Sequence, residues 1–123
     1  MSVMSDHDRI AELLSIYRQA ALEEAAASAI GDHRTATRHH TTISRVYREL
    51  RQRGPEATAC LLDLCDDTYP VVRVSAAAHV LEFAPAKGEA LLAQLATLGG
   101  QAGRAAELAL EGWRCLHPES RWT

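Results

Sequence analysis

The chain has 123 residues, of which 47% are hydrophobic but only 5% aromatic, and its formal net charge is −3 at pH 7. One domain of this length buries roughly two thirds of its unfolded surface, so folding requires no disulfide or structural metal. No apolar run approaches the ~20 residues that cross a bilayer, and three cysteines without a CxxC pair fit a reduced cytoplasmic protein. A core of Ala, Leu, Val and Ile therefore predicts an all-α protein.

Six helices are predicted from the spacing of apolar residues and from turn signals. Asp6 is suited to cap the first helix, Gly54-Pro55 separates the second from the third, and Pro70 starts the fourth. The predicted bounds are about 6–31, 32–53, 55–66, 70–84, 86–97 and 101–115, followed by a polar tail at 118–123. Turns this short make successive helices run in opposite directions.

The last four predicted helices contain a repeat of about 30 residues. Leu61, Leu62 and Cys65 recur thirty positions later as Leu91, Leu92 and Leu95. Such a period is typical of stacked helical hairpins, in which each unit buries its apolar face against the next. We therefore expect a single domain over 1–123, built as a right-handed stack of three antiparallel hairpins. The expected hairpins are 1–53, 54–84 and a degenerate capping unit at 85–117, with 118–123 as a tail.

The stretch DDTYPVVRVSAAAHVL, residues 66–81, carries a recognisable motif. It fits the pattern D-x-x-P-x-V-R-x-x-A-x-x-x-[LV] through Asp67, Pro70, Val72, Arg73, Ala76 and Val80. This motif resembles the turn and second helix of a HEAT-type repeat, which implies an α-α superhelix in which Asp67, Pro70 and Arg73 are structural. The whole chain also resembles a bacterial family of short proteins catalogued as a domain of unknown function, with a YRELR-like segment at 47–51. That resemblance implies a fold and no reaction.

Arginine is concentrated in one segment of an otherwise acidic chain. Residues 32–53 contain six arginines and two acids, which gives a local charge of +4. Steps of three, four or seven residues put one set on a single helix face: Arg34, Arg38, Thr41, Arg45, Arg48 and Gln52. Guanidinium groups bind carboxylates and phosphates bidentately. The alternative is an ordinary solvated face, with some arginines paired to Glu12, Glu23 or Glu24.

Motifs for catalysis or cofactor binding are missing from the sequence. It contains no HExxH, Walker-type loop or GxSxG, so we expect no enzyme, cofactor or metal. His33 and His40 are seven residues apart, whereas helical metal ligands usually stand three or four apart. Cys60 and Cys65 are interpreted as small core residues. The sequence does not assign a role to Cys115 or Trp122.

The expected stack puts the second, fourth and sixth helices on one inner surface. That surface would join the arginines of the second helix to Ser75, His79 and Glu82 in a mixed-charge strip. Such a strip suits a protein partner, because complementary charges set the register of binding. We therefore predict a protein-interaction module of the adaptor or toxin-neutralising type. The alternative is a nucleic-acid-binding HEAT-like repeat that uses the same arginines, although only one predicted helix is basic.

Overall fold

The computed structural model describes residues 5–119, and every regular element in that range is helical. The helices are α1 (Asp6–Ala29), α2 (His33–Gln52), α3 (Pro55–Asp63), α4 (Pro70–Val80), α5 (Pro85–Ala96) and α6 (Gly100–Leu116), with a 3-10 turn at Leu64–Asp66. The predicted all-α class with about six helices is thus confirmed. No helix between residues 5 and 119 is both long and apolar enough to traverse a lipid bilayer. Trp122 lies outside the described residues.

The chain divides into two compact units, and the division falls between Leu64 and Cys65. In the first unit α3 packs against α1 and α2, and in the second α4, α5 and α6 pack against one another. The division lies inside the segment 54–84, which the sequence predicts to be one hairpin. The three-hairpin arrangement therefore stays a prediction, and each unit is described by itself.

The first unit is built on an antiparallel hairpin of α1 and α2. A three-residue connection reverses the chain, and Gly31 takes a φ of 75° there, in the left-handed region that favours glycine. The two helices bury an apolar seam made of Ile10, Leu13, Tyr17, Ala20, Ala21, Ile43, Val46, Tyr47 and Leu50. Ala57 and Leu61 of α3 are fully buried in the same unit. The solvent-facing side of α2 is thus held on a packed helical support.

Local sequence explains where the helices begin. Ser5, and not the predicted Asp6, caps α1, because its hydroxyl accepts a 3.1 Å hydrogen bond from the Asp8 N–H. Asp32 caps α2 by accepting a 3.2 Å bond from the Thr35 N–H. A proline occupies the first turn of three helices, where its missing N–H costs no hydrogen bond: Pro55, Pro70 and Pro85.

The second unit is a three-helix cluster with an aliphatic core. The core residues are Val72, Val74, Ala76, Ala77, Val80, Leu81, Leu92, Leu95, Ala106 and Leu110. Gly88 lets α5 approach the end of α4, since a Cβ at this position would lie 2.8 Å from the backbone nitrogen of Leu81. Helix α4 ends at Val80, earlier than the predicted 83–84, and a turn leads to Pro85.

Candidate functional site: the arginine face of the second helix

Four arginines lie on the solvent side of α2, and we call them the arginine face: Arg34, Arg38, Arg45 and Arg48. All four are exposed, whereas Ile43, Val46 and Leu50 of the same helix are buried. The helical period separates the two sets, because steps of three, four or seven residues return to one side. Between Arg34 and Arg48 the face is about 21 Å long at 1.5 Å per residue.

No guanidinium group of this face takes part in a hydrogen bond or salt bridge among the described residues. Arg38 has only a longer-range electrostatic effect, on Asp32. The pKa of the Asp32 carboxyl is lowered, mainly by hydrogen bonds from Thr35 and to a smaller degree by the charge of Arg38. The guanidinium donors of the face are therefore exposed and have no acceptor in the part of the chain that the structure describes.

The acids of α1 that were considered as partners for these arginines bind other groups. Glu23 lies 3.2 Å from the Nε2 atom of His39, and Glu24 lies 3.0 Å from the Nδ1 atom of His40. Both histidines follow Arg38 on α2 and face α1. Glu23 and Glu24 therefore pair with histidines, and Glu12 with Arg9, instead of with the arginine face. The ordinary solvated face stays an alternative prediction.

A network of ion pairs closes the open end of the hairpin. Arg9 donates two bonds to Glu49, from Nε to Oε2 at 3.0 Å and from Nη2 to Oε1 at 2.9 Å. Arg53 donates to the same carboxylate at 3.1 Å and to Asp6 at 2.8 Å. Glu12 is a further acceptor for Arg9, at 2.6 Å. This bonding lowers the pKa of Glu49, chiefly through the bond from Arg9, and raises the pKa of Arg9.

A shallow depression of about 540 Å³ lies between the arginine face and this network. It is lined by Arg45, Arg48, Glu49, Gln52 and Arg53. Glu49 and Arg53 are already engaged with each other, whereas Arg45 and Arg48 keep their donors free for a ligand. The structure thus brings Arg45, Arg48 and Gln52 together at one rim, and Arg34 and Arg38 extend the same face toward the start of α2.

The other predicted contact residues belong to the second unit. Ser75 and His79 are half-buried on α4, and each already has an interaction partner within the protein. Glu82 is exposed in the turn after α4. Since the units are described separately, a common surface of these residues with the arginine face stays a prediction.

The motif residues Asp67, Pro70 and Arg73 surround the start of α4. Asp67 accepts a 3.0 Å bond from the backbone N–H of Tyr69, which is an Asx-type turn. Pro70 is the first residue of the helix. The Nε atom of Arg73 is buried without a hydrogen-bond partner within the described chain. This nitrogen therefore forms no hydrogen bond to Asp67.

Cysteines and histidines form no evident reactive centre. Cys60, Cys65 and Cys115 are free thiols, and burial raises the pKa of Cys65 to about 11, which disfavours its thiolate. Burial also raises the pKa of Cys60. His33 is exposed, and the part of the chain from 5 to 119 holds no group of three or more His, Cys, Asp or Glu side chains arranged for a metal ion.

Sequence reasoning missed the network around Glu49. Its local signals were two short spacings, Arg9 to Glu12 at three residues and Glu49 to Arg53 at four residues. The bonds to Arg9 and Asp6 join residues 40 and 47 positions apart, so they depend on the register of the hairpin.

Comparison with known proteins adds no assignment, because no family model, curated protein or solved structure matches this chain.

Proposed function

We propose that the protein is a non-enzymatic protein-interaction module whose arginine face binds an acidic segment of a partner protein. The observation that carries the proposal is that residues 5–119 provide no acceptor for the guanidinium groups of Arg34, Arg38, Arg45 and Arg48, although carboxylates of α1 lie next to the same helix. Those carboxylates are bound to histidines. The protein thus keeps its guanidinium groups available for an external anion.

The packed, buried side of α2 fixes the positions of the four arginines, which favours recognition of a defined segment of the partner. The four arginines project from a helix whose opposite side is buried, so their spacing is set by the backbone. A side chain on a rigid helix loses less freedom on binding than one on a mobile loop. Glutamate or aspartate side chains of a partner can each accept a bidentate bond from one guanidinium. The depression beside Arg45 and Arg48 offers a concave contact on this face.

Nucleic acid is the alternative partner, because phosphates also accept bidentate bonds from arginine. The extent of the basic surface favours protein over nucleic acid, since phosphate binders are generally basic over a whole face and the arginines here are concentrated on one helix. The negative net charge of the chain, −3, also disfavours binding of a nucleic acid. A labelled duplex and a labelled single strand, titrated at low salt, test this alternative. Tight binding that weakens steeply with salt would favour nucleic acid over protein.

The proposed repeat architecture and cellular compartment rest on the sequence motif and the cysteine content. The motif at 66–81 supports a HEAT-like helical-repeat architecture of bacterial type, and three free cysteines support a reducing cytoplasm. Adaptor and toxin-neutralising roles both fit a surface that binds acidic protein. Neither role requires a catalytic group.

Affinity capture with matched variants tests the proposal. The immobilised full chain is incubated with an extract of its own cells, in parallel with Arg45→Glu/Arg48→Glu and with Lys87→Glu/Arg114→Glu. The two double variants change the net charge equally, but Lys87 and Arg114 are exposed residues of the second unit. We expect a defined protein on the wild type and on the control variant, lost from the Arg45/Arg48 variant. Equal recovery on all three would refute a role for the arginine face.

A further inference from the structure

Helix α6 presents an apolar face to solvent in the second unit. Leu108 and Leu116 are 56% and 79% exposed, so each copy of the chain leaves more than one whole leucine side chain in water. Gly112 lies midway between them, four residues from each, and Ala105 and Ala109 lie on the same side of the helix. This face borders a groove of about 630 Å³ between α4 and α6, in which Ala78, Leu81 and Trp113 form further walls.

Gly112 is the observation that points to a close partner. A glycine inside a helix lowers the stability of that helix relative to alanine. Gly88 and Gly103 are explained within the unit, because a Cβ would lie 2.8 Å from Leu81 and 3.3 Å from the carbonyl oxygen of Ala96, respectively. A Cβ at Gly112 would meet nothing within 4 Å, and this glycine has no positive φ. The fold of the unit therefore does not require it.

Small residues at a helix crossing let two backbones approach closely, and large residues on either side then interlock. One row on α6 has this arrangement, with residues four apart. Its small residue is Gly112, and the large residues on either side are Leu108 and Leu116. The row is symmetric about Gly112, so it is complementary to a second copy of itself. In an antiparallel crossing, Leu116 of one copy lies over Leu108 of the other, and the reverse pair forms at the same time.

Charge also favours a second copy on this face. Two identical chains carry the same charges, so the centre of a self-contact must avoid charged groups. The arginine face fails this condition. The row on α6 meets it, because Ala105, Leu108, Ala109, Gly112 and Leu116 are all uncharged. The charged side chain that lines the adjoining groove, Glu82, belongs to the turn after α4 and not to this row.

We propose that the protein forms a two-fold symmetric dimer in which two α6 helices cross at Gly112. The contact area is small compared with the ~800 Å² per partner of a standard interface, so association should be weak and dependent on concentration. The dimer surface shares no residue with the arginine face, so the presence or absence of a dimer does not decide whether that face binds an acidic partner.

Sedimentation equilibrium of the full chain in reducing buffer tests the dimer, from about 5 µM to about 500 µM, the range that reports weak association. We expect the average mass of the wild type to rise from that of the monomer toward twice that value. Gly112→Arg has room in the isolated unit but puts like charges at the crossing, so it should stay monomeric. Leu98→Arg is the control, because Leu98 is similarly exposed (53%) but lies before α6, outside the Leu108–Gly112–Leu116 row. It should dimerise like the wild type, and Arg45→Glu/Arg48→Glu should do so too.

Three results would overturn the proposal. These are a wild type that stays monomeric at the highest concentration, a Gly112→Arg variant that associates like the wild type, and growth beyond a dimer, since a two-fold contact closes on itself. Circular dichroism and thermal melting show whether each variant is folded. If Gly112→Arg is unfolded, Leu108→Glu replaces it, with the same expected loss of the dimer. Leu108→Glu changes a side chain that is already mostly in solvent.

Discussion

Replacing Glu49 with Gln gives a direct test of the network that closes the α1–α2 hairpin. The Glu49 carboxylate accepts three hydrogen bonds, two from Arg9 and one from Arg53, at 2.9–3.1 Å. Its side chain is 32% exposed, so each ion pair belongs to the partly solvated class worth roughly 0.2–1 kcal/mol. Gln has the same shape but no charge. With two pairs weakened, we expect Glu49→Gln to lower the free energy of unfolding by about 1 kcal/mol at pH 7.

The effect depends on pH with a definite sign. The pKa of Glu49 is lowered in the folded protein from an ordinary value of 4.5. Its contribution to stability is therefore complete above about pH 4.5 and is lost as the pH falls through the lowered folded pKa. Urea unfolding should show the variant's midpoint reduced by roughly 0.5–1 M at pH 7. The difference should shrink as the pH falls below the lowered folded pKa, because the wild-type carboxyl is then protonated.

The matched control is Glu12→Gln, which weakens only one bond to Arg9. Glu12 is 42% exposed, so its replacement should cost less than that of Glu49. Equal stability of Glu49→Gln and wild type at pH 7 would contradict the structural argument. So would a loss in Glu49→Gln that persists undiminished at low pH.

The remaining predictions concern the second unit and the cysteines. Gly112→Ala should raise the free energy of unfolding by about 0.5–1 kcal/mol in urea titrations of dilute monomer, since its methyl group meets nothing. Gly103→Ala should raise the free energy of unfolding by less, or lower it, because its Cβ would lie 3.3 Å from the Ala96 carbonyl oxygen. Equal increases for the two variants would refute the argument from the space around each glycine. Iodoacetamide at about pH 8 should label the exposed Cys115 first in the native protein, because burial keeps Cys65 a neutral thiol. Mass spectrometry of peptides reports the order, and equally fast labelling of Cys65 would contradict it.

Sequence predicted the helices and the arginine face well, for a physical reason. Both depend on the 3.6-residue period, which decides within one helix which side chains share a side. Arg45 and Arg48 could therefore be separated from Val46 and Leu50 without any tertiary information. The exact ends of the helices were harder to predict, because capping choices such as Ser5 over Asp6 involve small differences in free energy.

The 30-residue repeat shows how sequence similarity and burial can differ. Leu61 and Leu92 are both fully buried, whereas Leu62 and Leu91 are only half-buried. Burial is thus shifted to a 31-residue spacing at this pair, whereas Cys65 and Leu95 are both buried at the 30-residue spacing of the matching letters. A change of one residue turns the buried side of a helix by about 100°, so the letters alone could not predict which leucines enter the core.

Features that depend on tertiary register could not be predicted. The bonds from Glu49 to Arg9 require the two long helices to be aligned within one turn, and no local pattern specifies that alignment. The exposure of Leu108 and Leu116 could not be predicted from the sequence either, because leucine is usually assigned to the core. Both features are surfaces or contacts formed only when helices pack.

The most direct test of the central claim is binding of a labelled acidic peptide to the arginine face, followed by fluorescence anisotropy. A glutamate-rich peptide of about eight residues spans the face when extended, and its glutamine-substituted version is the control ligand. We predict saturable binding of the acidic peptide to wild type and to Lys87→Glu/Arg114→Glu, weakened roughly tenfold or more by Arg45→Glu/Arg48→Glu. No binding to the wild type at low salt, or equal binding to both double variants, would contradict the account.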